Sequence, residues 1–378
     1  AMAQNPDIKS PRRTDWEGVV AEEVSDKIIR ATLPHPYAPF LESATLGILP
    51  RHLWQNVSIS EFPFDELNAH PVGSGPYSVN KISFNSSGTP ERYTLKSFSD
   101  FTLGEPFLRT IIFNFYPNED SLLDALKSEN IESAAGITPD QIKDTPGTIM
   151  REPLPRIFAV FFNQSKAPIF ADATVREALA EALDKKAIID DNLGGYGVPL
   201  DSPILDKKLL QKPIIEADYK DFISESAAIL EKGGWVLGDD GIRAKKSTRL
   251  AFSIATADTV ELAGTADSVA RTWRALGADV SVKVFGASDL TNTVIRPRDF
   301  DALLFGEVVG RSLDLFAFWH SSQRNDPGLN VALYTNVKTD KLLSDVRKDT
   351  DQKSREEKIS AFMDIIKMEY PAAFLYAP

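Results

Sequence analysis

The sequence predicts an α/β fold, and three observations carry that prediction. An unbroken apolar run at 157–162 reads as a buried strand and leads into a capped helix. Between residues 250 and 305 the pattern runs strand, helix, strand, strand. At 378 residues, 43% hydrophobic and 25% charged, the chain is long enough for two domains and can bury a sizeable core.

Taken in order, residues 16–33 alternate weakly and predict two strands with a turn at Ser25, Asp26 and Lys27. Pro34, Pro36 and Pro39 forbid a helix before Phe40. Gly73 and Gly75 sit in PVGSGPY, which lacks the Lys-Ser/Thr of a phosphate loop and reads as a turn into a strand at 77–84. Strands at 92–98 and 109–116 follow, then a short helix at 120–127.

The central stretch is the most informative. After Phe161 and Phe162, the polar Asn163, Gln164 and Ser165 take the chain out of the sheet. Asp172 is a good N-cap, because its carboxylate can accept from the free N–H groups of a first helical turn. Val175, Ala178, Leu179, Ala182 and Leu183 then mark one helical face. Asp184 caps a second helix at 185–193, which Gly194 and Gly195 stop. Beyond it the pattern predicts a helix at 224–231, a hairpin turn at Asp239, Asp240 and Gly241, and a strand at 250–255. A helix at 260–276 closed by Gly277, strands at 279–285 and 301–305, and two charged amphipathic helices within 341–368 complete the series. The aromatic residues Phe158, Phe161, Phe162, Trp235 and Trp273 read as core. Phe316, Phe318 and Trp319 lie beside a Gly-rich polar loop and fit a cleft wall or a core.

Composition and motifs exclude several chemistries. A net charge of −12 disfavours nucleic-acid and anionic-membrane binding. The absence of cysteine removes disulfides, thiolate metal sites and cysteine nucleophiles. His35, His52, His70 and His320 show no zinc-ligand spacing, and no G-x-S-x-G elbow is present. The turn at Asp239–Gly241 lacks the spaced carboxylates of a calcium loop. Asp190 and Asp191 are helix neighbours that point apart, so they form no acid–base pair. No apolar run is long enough to span a membrane. An enzyme, a resident metal and a cofactor are therefore not expected.

Several segments resemble one known family, and in the family's order. NQSKAPIFADATVREALAEALDKKAII followed by GGYGVPLDSPI is similar to the second-lobe entry of family 5 extracellular solute-binding proteins, the peptide-, nickel- and oligosaccharide-binding receptors of ABC importers. YAPFLE (37–42), LGILPRHLW (46–54), PVGSGPY (71–77), LFGEVVGRSLDLFAFWHSSQ (304–323) and PAAFLYAP (371–378) resemble further segments. The resemblance implies a two-lobed periplasmic-binding-protein-like fold (type II, cluster C-like), incomplete at both ends. Residues 1–72 would be a remnant of an N-terminal subdomain, 73–155 a first lobe completed by 368–378, and 156–367 a second lobe. The two crossings would form a hinge.

The function implied is extracytoplasmic capture of a solute, an oligopeptide foremost, for the permease subunits of an ABC importer. The protein would act as a monomer, periplasmic or as a cell-surface lipoprotein. The alternatives are an oligosaccharide receptor, an adhesive or structural lipoprotein module that keeps the fold without transport, and, more remotely, a hydrolase. The residues expected at the solute are Phe162, Asn163, Glu307, Val309, Gly310, Arg311, Asp314, Phe316 and Trp319. Peptide-binding relatives place an Asp for the ligand's ammonium where this chain has Gly310, with Arg311 beside it. A free amino terminus is thus not expected to be held in their way. Arg311 would suit an anion or a sugar hydroxyl, or else pair with Asp314.

Overall fold

A computed structural model describes residues 2–8, 10, 13–137, 141, 145–205, 221–309 and 314–378. The chain forms two compact units, one of residues 1–34 and 40–148, the other of 35–39 and 149–378.

The first unit carries a hairpin of β1 (Val20–Ser25) and β2 (Ile28–Thr32), paired antiparallel. Strands β3 (Tyr77–Phe84), β4 (Pro90–Ser97) and β5 (Thr110–Asn114) form an antiparallel sheet in that order. Helix α1 (Glu119–Lys127) follows, capped by the Asn118 side chain. Burial is local: Trp16 meets Phe40 edge-on at 5.0 Å, and Trp54 packs on Phe62 at 4.9 Å. The three-stranded sheet has no buried residue, and Phe84, Ile112, Phe113 and Phe115 are exposed. The unit runs through Gly73 without a break.

The second unit is built on a six-stranded mixed sheet. Its members are β6 (Arg156–Phe162), β7 (Val198–Pro199), β11 (Ala251–Ala257), β12 (Asp279–Phe285), β13 (Ala302–Val308) and β14 (Ala372–Ala377), in the order β12-β11-β13-β6-β14-β7. A small sheet of β8 (Val236–Leu237), β9 (Arg243–Lys245) and β10 (Thr248–Arg249) closes the 239–241 hairpin.

Residues of β6 alternate between two apolar layers, as a strand buried on both faces must. Val160 and Phe162 join the layer of α2 (Ala173–Glu181), α3 (Lys185–Leu193), α4 (Phe222–Lys232) and α5 (Val260–Ala275). Ile157, Ala159 and Phe161 join that of α6 (Phe316–Trp319), α7 (Val337–Lys348) and α8 (Gln352–Glu369). The capping follows the sequence: Asp172 accepts from Thr174 N–H, Asp184 from Ala187 N–H, and Gly194 ends α3 with φ of 58°. Without a Cβ, glycine takes that left-handed turn at little cost.

One assignment is corrected. The C-terminal strand, expected to complete the first lobe, lies between β6 and β7 in the second unit. All six of its residues are buried, which an edge or outlying position would not provide.

Candidate functional site

Strand β13 is paired on both sides only at its start. β11 meets it at Ala302 and Leu303, whereas β6 accompanies it through Val308. Thr256 Oγ1 donates to the Leu304 carbonyl at 3.1 Å on the β11 side, and Val309 N–H donates to the Pro155 carbonyl at 3.0 Å on the β6 side. Backbone groups alternate along a strand, so the N–H and C=O of Gly306 and Val308 face away from β6. No strand pairs with that side there among the described residues. Gly306 is required for packing. A Cβ would stand 2.6 Å from Phe158 Cε1 on the neighbouring strand.

Glu307 lies between these two open backbone positions. Alternation and its register with Ile157 put its side chain on the face of the second apolar layer. The residue is 5% exposed, and its Oε1 has no hydrogen-bond partner. Burial pushes its carboxyl well above the ordinary carboxylate range.

The environment of Asp314 is the opposite. Arg347 of α7 donates from Nε to both carboxylate oxygens at 3.0 Å, and from Nη2 to Oδ2 at 2.8 Å. Tyr37 OH reaches Oδ2 at 3.4 Å, and the Arg347 carbonyl accepts from Ala38 N–H at 2.7 Å. The Arg347 guanidinium also lies 3.8 Å over the Phe316 ring, whose other neighbour is His320, stacked at 4.0 Å. The His320 Nδ1 accepts from Ser322 N–H at 3.1 Å, and Nε2 sits 3.3 Å from Ser344 Oγ. Burial holds the His320 pKa below its usual value. Asp340 opposes that shift and Arg347 adds to it.

Four residues expected at the solute are instead taken up by the interior. Phe162 is 0% exposed and packs between Phe170 at 4.9 Å and Trp273 at 6.1 Å. Trp319 is equally buried among Phe161, Tyr334, Phe362 and Phe374, and Val309 lies in the same layer. Asn163 spends its amide on a corner: Nδ2 donates to the carbonyls of Arg298 and Phe300, and Oδ1 accepts from the N–H groups of Ser165 and Lys166. Phe316 is half-buried. Asp314 pairs with Arg347, while Gly310 and Arg311 lie outside the described residues. Arg347 carries no signal in the sequence, since one charge on an amphipathic helix does not reveal its partner, and His320 reads there only as a histidine without zinc-ligand spacing. Among the described residues no group of three or more His, Asp or Glu side chains is placed to hold a metal ion.

The model of the bacterial extracellular solute-binding proteins, family 5 (middle), matches residues 2–328. The chain belongs to this family. The oligopeptide-binding protein AppA of Bacillus subtilis is 25% identical over 98% of this chain and 69% of its own length. Protein XP55 of Streptomyces lividans is 27% identical over 88% of this chain and 59% of its own length. The nickel-binding protein NikA of Staphylococcus aureus is 21% identical over 82% of this chain and 60% of its own length. The chain thus spans 59–69% of the length of these relatives.

Among solved structures, Bacillus subtilis AppA in complex with a nonapeptide superposes with a TM-score of 0.68 at 25% identity, covering 100% of this chain and 76% of that one. The substrate-binding protein CtaP of Listeria monocytogenes gives 0.78 at 21% identity, covering 99% of this chain and 75% of that one. The α/β fold expected from the sequence is the fold of this solute-binding family. Among the described residues no helix is long and apolar enough to cross a membrane.

Proposed function

We propose that this solute-binding protein captures an oligopeptide outside the cytoplasm, as a monomer, and presents it to the permease subunits of an ABC importer. The observation that carries the reading is the open side of β13 at Gly306 and Val308. An extended peptide can add there as a strand, exchanging main-chain hydrogen bonds that do not depend on its side chains. The likeness to an oligopeptide-binding relative supports the same solute class.

Native mass spectrometry of the protein with a pool of short peptides, oligosaccharides and nickel–histidine tests this. Peptides are expected to be retained, and methylation of their backbone nitrogens to weaken retention. Retention of oligosaccharide or metal chelate to the exclusion of peptides would overturn the peptide assignment. Retention of nothing would count against capture itself.

A further inference from the structure

We propose that Glu307 selects for a cationic group on the solute, its carboxyl receiving an ammonium or guanidinium brought to the open side of β13. The inference rests on the solute-binding reading and adds a charge class to it. The geometry is specific. Glu307 sits between the two positions whose backbone polar groups face the unpaired side, is 5% exposed, and leaves Oε1 without a partner. The neighbouring Val308 is exposed, so the strand emerges to solvent at this point.

A buried carboxyl with no cation is costly to ionise, and burial accordingly favours the neutral acid. An arriving cation supplies the missing partner in a medium where a charge pair is stronger than in water. The step is a proton exchange. The carboxylic acid releases its proton to solvent, and the carboxylate formed accepts a hydrogen bond from the docked ammonium or guanidinium. Asp314, the other acid expected to serve a solute, is held by three charge-assisted bonds from Arg347 and has little left to offer.

The test is calorimetry with N-acetylated alanine tetrapeptides that carry a single lysine at each position in turn, against the same peptides with Nε-acetyl-lysine. Runs in buffers of different protonation enthalpy count protons. At the best position the lysine peptide should bind about tenfold more tightly or better, as a charge-assisted hydrogen bond implies, and release up to about one proton. Glu307→Gln, a neutral isostere, should bring the lysine to acetyl-lysine ratio near unity. Equal binding of the two series, or a lysine preference that survives in Glu307→Gln, would overturn the inference while leaving peptide capture intact. Lysine binding without proton release would overturn the exchange step. Failure of both series to bind would overturn the peptide reading and this inference with it.

Discussion

Replacing Asp172 by alanine tests how the helical layer of the second unit is held. Its Oδ1 caps α2 by accepting from Thr174 N–H at 3.0 Å. Its Oδ2 accepts from Trp235 Nε1 at 3.1 Å and from Lys245 Nζ at 2.7 Å. One carboxylate therefore joins α2, the turn after α4, and β9. Loss of a cap costs about 0.5–2 kcal/mol. Trp235 is 2% exposed, and stranding its indole N–H adds about 1–3 kcal/mol. The Lys245 ion pair is partly solvated and adds little. Asp172→Ala should thus destabilise by about 2–4 kcal/mol, and Asp172→Asn, which keeps an acceptor oxygen, by clearly less. Urea denaturation followed by tryptophan fluorescence measures both. A loss within a few tenths of a kcal/mol for Asp172→Ala would refute the joint role, and equal losses for the two variants would refute the importance of the acceptor.

The same carboxylate sets a pH dependence. Burial raises its pKa, but the hydrogen bonds from Lys245, Trp235 and Thr174 outweigh burial and leave it lowered. A group depressed in the folded state contributes stability above its unfolded pKa, near 3.9, and loses it as pH falls through the folded value. Asp172→Asn should therefore show a weaker acid destabilisation than the parent.

Three further outcomes are expected. Arg347→Ala should cost about 2–4 kcal/mol by leaving Asp314 with its main partner gone, read by thermal or urea unfolding. His320 is depressed below its usual value, so the stability it contributes is complete above about pH 6.5 and declines as pH falls below it. His320→Gln should flatten the unfolding midpoint between about pH 7 and 5. Gly306→Ala should destabilise by about 1–3 kcal/mol, because the new Cβ meets the Phe158 ring, and Phe158→Leu in the same chain should recover part of that loss.

What the sequence made legible was local. The bounds of α3 follow from Asp184 at one end and Gly194 at the other, both acting within a few residues of the helix. The cap at Asp172 was equally visible, but its bonds to Trp235 and Lys245 span 63 and 73 residues and leave no trace in the local pattern. The apolar run of β14 announced burial without saying against which strand. Pairing is non-local, and a wholly buried strand fits the centre of either sheet. Trp319 lies beside a polar loop and fits a cleft wall or a core equally, while the pattern reads Phe162 as core and only the family resemblance brings it to the solute. Adjacency along the chain does not tell which face a side chain takes, and alternation on β6 turns Phe162 under the helices. Asn163 shows the same ambiguity for a polar group. An amide at a strand end suits a ligand or a corner equally, and here four backbone partners use it up.

The two acids of the 304–323 segment show how burial and partnership divide the work of a site. Asp314 is held by a guanidinium that also covers Phe316 and is anchored, through its backbone, to Ala38. It fixes the geometry of the segment after the 310–313 stretch and offers little charge to anything arriving from solvent. Glu307 is buried and leaves Oε1 unpartnered, so burial makes its charge costly unless a cation accompanies it. Exchanging the environments would exchange the roles. Removing Arg347 leaves Asp314 partly solvated with an uncompensated charge, a site open to any cation and screened by salt. Glu307 in its apolar layer is shielded from that screening. Cation selection through Glu307 should therefore persist at ionic strengths that abolish any binding gained by Arg347→Ala, and a salt titration of lysine-peptide affinity in the two proteins separates the contributions. Equal salt dependence in both would show that the Glu307 pair is solvated, and that burial is not what makes it selective.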